Sequence, residues 1–567
     1  LPFFLQALCP VLFLVVAMLV LRRFLLLGFV LLLGVAAPPV RADDPPLPPP
    51  TLAETLAAEP SLLDATSVEN DEVRAFYQAR DFQPAWVDLK TKETAPYQAF
   101  LDSLTHLVAY HGLVASDYPL DELDALMVSP APKDKLKLDI LLTASILTLA
   151  HDLHGDDLDL AHLYPGWVFG RDEANLIDGL SQAARANDVS AFITKLGPQQ
   201  AAYAELAKGL AAYRAIEAKG GWSPIPAGPT LRPGDKDPRL LKLRARLAAE
   251  GYLDEASDDA TFDPALKEAL TAYQIRNGLK TDGELGGKTL AALNVPVAER
   301  IGQIRANMER WRHMDETFPD RFVLVNIPDM TVALFENGHA TYRGPVVVGR
   351  PDRKTPFIRS AIRSVIFNPA WHVPAKIARK DILPKLRRDP HYLEKMGLVI
   401  NGSADDPHGA AIDWNKIRES EFTFRLRQSP GDMNSLGRLK FDFDNDFSVY
   451  MHGTPHMETF AKAERAQSSG CVRLRDPEKM AETVLAGNEG GWNADKIKAE
   501  IAANQTRWLK LQKPLPIYIV YWTVFQDETS GQLAFRRDIY DYDRFLLEAM
   551  DGATPVHKAR NVHDKSM

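Results

Sequence analysis

Apolar residues recur every three or four positions from about residue 60 to 222, as in LKLDILLTASILTLAHDLHGDDL, and that period predicts a helical scaffold domain over 60–222. Within it the aromatic segment FYQARDFQPAWVD supplies Tyr77, Phe82 and Trp86, which read as packing residues. Gly221 to Pro238 holds five prolines and three glycines, a composition that sustains neither helix nor central strand, so 223–238 is read as a linker. Three short helical patterns follow over 239–296, with Leu243, Leu247, Leu266, Leu270, Tyr273 and Leu290 as their shared core. A helical connector then occupies 297–320.

From Arg321 the period changes to two and β-branched residues dominate. RFVLVNIPDMTVALFENG reads as a hairpin, and TYRGPVVVGRP, SAIRSVIFNPAW and PLPIYIVYWTVFQ read as further strands. These define a mainly β domain over 321–545, followed by a tail at 546–567. The charged, mixed stretch 373–447 is too long for a simple sheet connection and is expected to be an insertion that caps a site. The fold class is therefore multidomain α+β.

The N-terminal pattern adds a compartment. Residues 1–42 contain no acidic side chain and carry two apolar runs broken by Arg22 and Arg23. With a start at Met18, residues 18–23 form a basic region, 24–35 an apolar one, and Val40-Arg41-Ala42 a small-x-small cleavage site, so 1–42 is expected to be a signal peptide. A membrane anchor is the alternative, since residues 1–21 approach the length needed to span a bilayer. The proline-rich 43–59 reads as a spacer. An exported, periplasmic protein is the expectation, touching a membrane only through an uncleaved leader.

Charge and cysteine count narrow the chemistry. Loss of Arg22, Arg23 and Arg41 with the leader takes the net charge from −9 to −12, which disfavours nucleic acid as a partner. Of the two cysteines in 567 residues, cleavage removes Cys9 and leaves Cys471. That excludes an internal disulfide and a thiolate-rich zinc site, and no HExxH motif is present, so neither metal nor cofactor is expected.

Cys471 lies in FSVYMHGTPHMETFAKAERAQSSGCVRLRDPEKMAETVL, the densest chemical signal in the chain. Asp476 and Pro477 read as a helix start just after it, where the dipole with Arg473 and Arg475 would favour thiolate. His452 is the candidate base for a cysteine nucleophile; the backbone amides around Gly470 and Cys471, with Ser469, are candidates for stabilising an oxyanion, and the Gly453 carbonyl is the candidate for orienting the imidazole. A buried structural cysteine with a nearby histidine is the competing reading. His456, four residues on, and His372, His391 and His408 read as loop or cap residues.

His452-Gly453-Thr454, the 19-residue separation to Cys471 and the run Ser-Gly-Cys-Val-Arg resemble the catalytic motif of the YkuD-type L,D-transpeptidases of the bacterial cell wall. Thr355-Pro356 and Asn368-Pro369-x-Trp371-x-Val373-Pro374 extend the resemblance over about 321–525. Upstream, Gly251-Tyr252, Tyr273-Gln274, Leu279, Asp282-Gly283 and Thr289-Leu290 resemble a peptidoglycan-binding domain, although a helical spacer would share much of that pattern. The domain order is similar to the large YcbB-like subgroup. One departure is Ser469, where many members carry histidine, which leaves His452 as the sole motif imidazole.

The resemblance implies a cysteine acyltransferase that joins peptidoglycan stem peptides by 3-3 cross-links through a thioester on Cys471. It also implies carbapenems as covalent inhibitors of that sulfur. Trp371, Tyr450, Ser469 and Arg473 are candidates for lining the groove, with core packing or a salt bridge as their competing roles. Two other functions share these residues: an L,D-carboxypeptidase or endopeptidase using water as acceptor, and a non-catalytic peptidoglycan-binding scaffold.

Overall fold

The computed structural model describes residues 51–552 except 65, 67, 69, 88–94, 156, 157, 165, 256, 315, 316 and 529; the leader, Cys9 and residues 43–50 lie outside the described residues. The first element is the helix Leu52–Ala58, fixed by a capping box in which Thr51 and Glu54 satisfy each other's amides. It occupies part of the stretch expected to be a spacer.

The scaffold helices begin at Leu52–Ala58, and those up to Val189–Leu196 pack largely around the long helix Pro132–His154, buried continuously from Leu138 to His154, whereas Ala201–Ala218 buries Tyr203, Leu206 and Leu210 in the core it shares with the β domain. Because that helix is apolar on every face it demands neighbours all round. Its one fully buried carboxylate, Asp139, accepts the amides of Ala85 (2.9 Å), Trp86 (2.8 Å) and Val87 (2.8 Å) and the Tyr77 hydroxyl (2.6 Å). Tyr77 and Trp86 are thus packing residues, with Phe82 partly buried against the same core.

Helices Arg239–Ala249, Pro264–Arg276 and Gly287–Leu293 enclose a small core of Leu243, Leu247, Leu266, Leu270 and Tyr273, with Leu290 at its edge. The preceding proline-rich segment contributes Ile225 and Leu231 to that core and pairs Leu231 with Leu285, so it is stitched to the module rather than free. The helix Val297–Arg312 then passes between scaffold and β domain. Asn307 bonds Thr523 in both directions (2.7 and 3.0 Å), Arg310 pairs with Asp543 at 2.6 Å, and Arg312 donates to the His111 carbonyl at 3.0 Å.

Among the described residues fourteen strands follow: β1 (Arg321–Asn326), β2 (Thr331–Glu336), β3 (His339–Gly349), β4 (Ile358–Phe367), β5 (Trp371–His372), β6 (Leu398–Ile400), β7 (Leu426–Gln428), β8 (Leu439–Phe443), β9 (Met451–His452), β10 (Ala466–Ser468), β11 (Val472–Leu474), β12 (Arg507–Val520), β13 (Val524–Gln526) and β14 (Leu533–Phe535). The main sheet has the order β10-β3-β11-β9-β8-β4-β12-β1-β2, and an additional β2–β3 pairing closes it into a barrel with β10 appended to β3. The β1–β2 hairpin is antiparallel in register Val323↔Leu334, as its period-two pattern requires.

The insertion is shorter than the 373–447 expected. β8 lies inside that range yet is a barrel strand, paired with β4 and β9, because Leu439, Phe441 and Phe443 alternate into the core. What remains forms the three-stranded sheet β5-β7-β6 and short helices between Ala375 and Lys395, over their own core of Ile382, Leu383, Leu386, Leu393, Trp414 and Phe422. At the far end the helix Tyr542–Met550 crosses the boundary at which the tail was expected to start.

Removing the Asp139 carboxylate should orphan three backbone amides in a dry core, while the Tyr77 hydroxyl keeps the Asp139 carbonyl and Thr143 Oγ1. Asp139→Ala is expected to lower stability by about 3 kcal/mol in chemical denaturation. A loss below about 1 kcal/mol would show that those donors find other partners.

Candidate active site

The barrel brings distant residues into register. β9 lies between β8 and β11, placing His452 opposite Lys440 on one side and Arg473 on the other. Val472 N–H donates to the Tyr450 carbonyl at 3.2 Å, so Cys471, just before β11, lies alongside Tyr450, just before β9. Cys471 and His452, 19 residues apart in sequence, thus lie diagonally across the parallel β9–β11 ladder.

His452 is 4% exposed, and its Nδ1–H donates to the Gly453 carbonyl at 2.5 Å, which leaves Nε2 as the basic nitrogen. The Leu436 carbonyl is a second backbone acceptor for the ring. Burial pushes the imidazole down to about 3, reinforced by the charges of Arg473 and Lys440, so His452 is uncharged at neutral pH. The acceptor is set by Gly437, which sits at φ +64; a Cβ there would fall 2.6 Å from the Thr454 nitrogen and 2.7 Å from the Gly453 carbonyl carbon.

Cys471 is half-buried at the base of a cleft. Burial raises its pKa, opposed by hydrogen bonds from the Tyr450 amide and hydroxyl and by the positive charges of Arg473 and Lys440. Tyr450 is itself held by a hydrogen bond with the Trp371 side chain and by Lys440 Nζ, 4.3 Å from its ring centroid. The expectation of a helix-stabilised thiolate does not hold. Strand β11 intervenes between Cys471 and the helix Pro477–Leu485, and Arg475 is exposed and paired with Asp476. The resting pair is a neutral thiol beside a neutral imidazole.

The loop that presents Cys471 is pinned from behind. Ser468 Oγ donates to the Cys471 carbonyl (2.6 Å) and accepts the Gly470 amide (3.1 Å), while Thr355 Oγ1 donates to the Gly470 carbonyl (2.8 Å). Gly470 adopts φ +117, a conformation that side chains disfavour. Of the amides around Gly470 and Cys471 that were candidate oxyanion donors, that of Gly470 is spent on Ser468; the Gly453 amide donates to the Leu439 carbonyl at 2.9 Å as part of the sheet, while its carbonyl holds the imidazole. The donor groups that face the sulfur are the amide and the hydroxyl of Tyr450.

The cleft encloses about 1060 Å³ between barrel and insertion. Trp371, Tyr450, His452, Ser469, Gly470, Cys471 and Arg473 all line it; Gly453 does not. Its wall carries eight arginines and lysines against two aspartates, although the chain as a whole is acidic. Of the other histidines, His456 lines the mouth 3.4 Å from Glu458, His391 lies 3.5 Å from Glu394, His408 bonds the Leu398 carbonyl, and His372 is exposed in β5. Among the described residues, no group of three or more histidine, cysteine or acidic side chains converges as a metal site.

Sequence reasoning passed over Gly437, Lys440, Arg353 and Asp381. Lys440 alternates with buried residues in LKFDF, a period-two signal hidden in a charged stretch. The other three matter through long-range contacts, for which the chain offers no local mark.

Residues 320–498 match the family model of the YkuD L,D-transpeptidase catalytic domain, and the chain carries that domain. Residues 71–210 match a scaffold domain and 236–293 a "Putative peptidoglycan binding domain". The chain is 32% identical over 225 residues to a Haemophilus influenzae protein named "Putative L,D-transpeptidase", an alignment covering 39% of this chain and 44% of that protein, less than half its length. Among solved structures, an L,D-transpeptidase from Xylanimonas cellulosilytica is similar at 14% identity, covering 52% of this chain and 99% of the other at a TM-score of 0.16. L,D-transpeptidase 3 from Mycobacterium tuberculosis is similar at 12% identity, with 36% and 63% covered and a TM-score of 0.19.

Gly437→Ala should push Gly453 away from the imidazole and slow acylation of Cys471 on the order of 100-fold, the scale of a 1 Å misplacement. Gly402→Ala, at φ +90 in open space on the insertion, is the control expected to leave the rate unchanged. Equal effects of the two substitutions would separate Gly437 from the site.

Proposed function

We propose that the protein is a periplasmic L,D-transpeptidase that forms 3-3 cross-links between peptidoglycan stem peptides. The observation that carries this reading is the Cys471–Tyr450–His452 arrangement at the floor of a capped, basic cleft within the YkuD domain. Stem peptides are rich in carboxylates, and a locally positive cleft in an acidic protein concentrates such substrates. The peptidoglycan-binding module beside it would hold the glycan.

In the first half-reaction His452 Nε2 takes the thiol proton as Cys471 Sγ attacks the carbonyl of the third stem residue. Negative charge moves from sulfur to the carbonyl oxygen, and the Tyr450 hydroxyl, which donates to the sulfur at rest, follows it. The terminal D-amino acid leaves with the proton from His452, giving a thioester. In the second half-reaction His452 deprotonates the side-chain amine of an acceptor stem, which attacks the thioester and restores the thiol. Arg473 is positioned to pair with a substrate carboxylate, and Trp371 to hold Tyr450. The Gly453 carbonyl steadies the imidazolium that forms twice per cycle.

Incubation of purified disaccharide-tetrapeptide should yield cross-linked dimer. Trimmed monomer alone would assign the protein to the hydrolases, and no product at all would favour a non-catalytic scaffold. A carbapenem should add one equivalent to the wild type and none to Cys471→Ala in intact-mass measurement; an equal adduct on both would exclude Cys471 as nucleophile.

The pH dependence follows from the environment of the pair. Protonation of His452 would remove the base, but its pKa is held at about 3, so no acid limb arises near the ordinary histidine range. The acylation rate should therefore change by less than about threefold between about pH 5 and 7.5, then rise as thiolate forms. A tenfold fall centred near about pH 6.5 would mean that the imidazole titrates as if exposed.

A further inference from the structure

The loop between β3 and β4 folds back beneath the nucleophile because Gly349 permits it: a Cβ there would lie 2.2 Å from the Arg353 carbonyl oxygen and 2.6 Å from the Thr355 nitrogen. The fold-back is locked by Thr355 Oγ1, which accepts the Gly349 amide at 2.8 Å and donates to the Gly470 carbonyl. The Tyr540 hydroxyl holds the same turn by donating to the Gly349 carbonyl and accepting the Thr355 amide at 3.1 Å. Arg353 leaves this rigid turn pointing along the cleft. Its guanidinium, 10% exposed, donates to Ser469 Oγ at 3.1 Å, two residues before Cys471.

The same guanidinium forms a two-pronged pair with the carboxylate of Asp381, one prong at 2.9 Å, and Arg350 reaches that carboxylate at 3.5 Å. Asp381 belongs to the insertion. It sits in a π-helical turn, Ala378–Ile382, flanked by Ala378 and Ile382 of the insertion's own core. Arg353 is therefore bonded at once to the cap and to the Ser469 hydroxyl in the loop that presents the sulfur.

We infer that Arg353 is a positioning residue whose guanidinium, held by Asp381 of the cap and bonded to Ser469 of the nucleophile loop, couples seating of the cap to placement of Cys471. This rests on the transpeptidase reading for its consequence, the exclusion of water from the thioester, but the coupling itself is a property of the resting protein. With the latch closed, cap and nucleophile loop hold each other. With it broken, the cap loosens, the loop loosens with it, and water competes with the acceptor amine.

Hydrogen exchange on the full chain tests this without substrate. In Asp381→Asn, amides in 375–388 and in 466–473 should both exchange about tenfold faster, the scale of a lost charge-assisted bond, while those in 239–293 stay unchanged. In Arg353→Lys, which keeps the charge facing Asp381 but loses the fork, 466–473 should accelerate more than 375–388. Acceleration of the cap alone in Asp381→Asn, no change in either segment, or a uniform rise that includes 239–293 would each overturn the coupling. With disaccharide-tetrapeptide, Asp381→Asn should lower the dimer-to-trimmed-monomer ratio about fivefold. An unchanged ratio with altered exchange would refute the consequence for water. Failure of the wild type to take a carbapenem would refute the nucleophile instead, leaving the exchange result to stand on its own.

Discussion

A buried imidazole must find a partner for its Nδ1–H, and in this protein the partner is the carbonyl of the next residue. That bond fixes the tautomer, and the tautomer fixes which nitrogen can accept a proton from sulfur. Everything around it serves the constraint. Gly437 clears the space that the Gly453 carbonyl needs, β8 and β11 hold β9 on both sides, and desolvation keeps the ring uncharged. No carboxylate orients the ring, so the base stays weak at rest. Under the proposed function, a weak base beside a neutral thiol keeps Cys471 unreactive until a substrate carbonyl arrives.

The cap and the barrel share that economy. Trp371 belongs to the cap sheet through its pairing with Gln428, yet its side chain bonds Tyr450, whose hydroxyl bonds the sulfur. Asp381 reaches the other flank of the nucleophile loop through Arg353. The insertion thus meets the site at two points, once through an aromatic pair and once through an ion pair. The wall between them carries an excess of arginine and lysine.

The extent to which this was legible in sequence follows the range of the interactions. The β1–β2 hairpin could be read because its alternation is local, and the Leu243, Leu247, Leu266, Leu270 core because helical spacing is local. β8 carried the same alternation in LKFDF but was lost among charged neighbours, and Leu52–Ala58 was masked by the prolines before it. Motif context singled out Cys471 and His452, and the barrel brings both to one cleft. Their electrostatics were not legible in sequence: a three-residue strand separates the thiol from the helix, and burial outweighs the dipole. Nor was the fate of the Gly470 and Gly453 amides, since hydrogen-bond partners from Ser468 and Leu439 appear only once the barrel closes.

The central claim is that Cys471 becomes an acyl thioester and that His452 serves both halves of the cycle. Intact-mass analysis of Cys471 after brief mixing with a donor tetrapeptide, in the absence of any amine acceptor, tests it most directly. The account predicts a wild-type species heavier by the donor less its terminal residue, sensitive to hydroxylamine and absent from Cys471→Ser. A wild-type mass unchanged at every mixing time while cross-linked product still forms would contradict it.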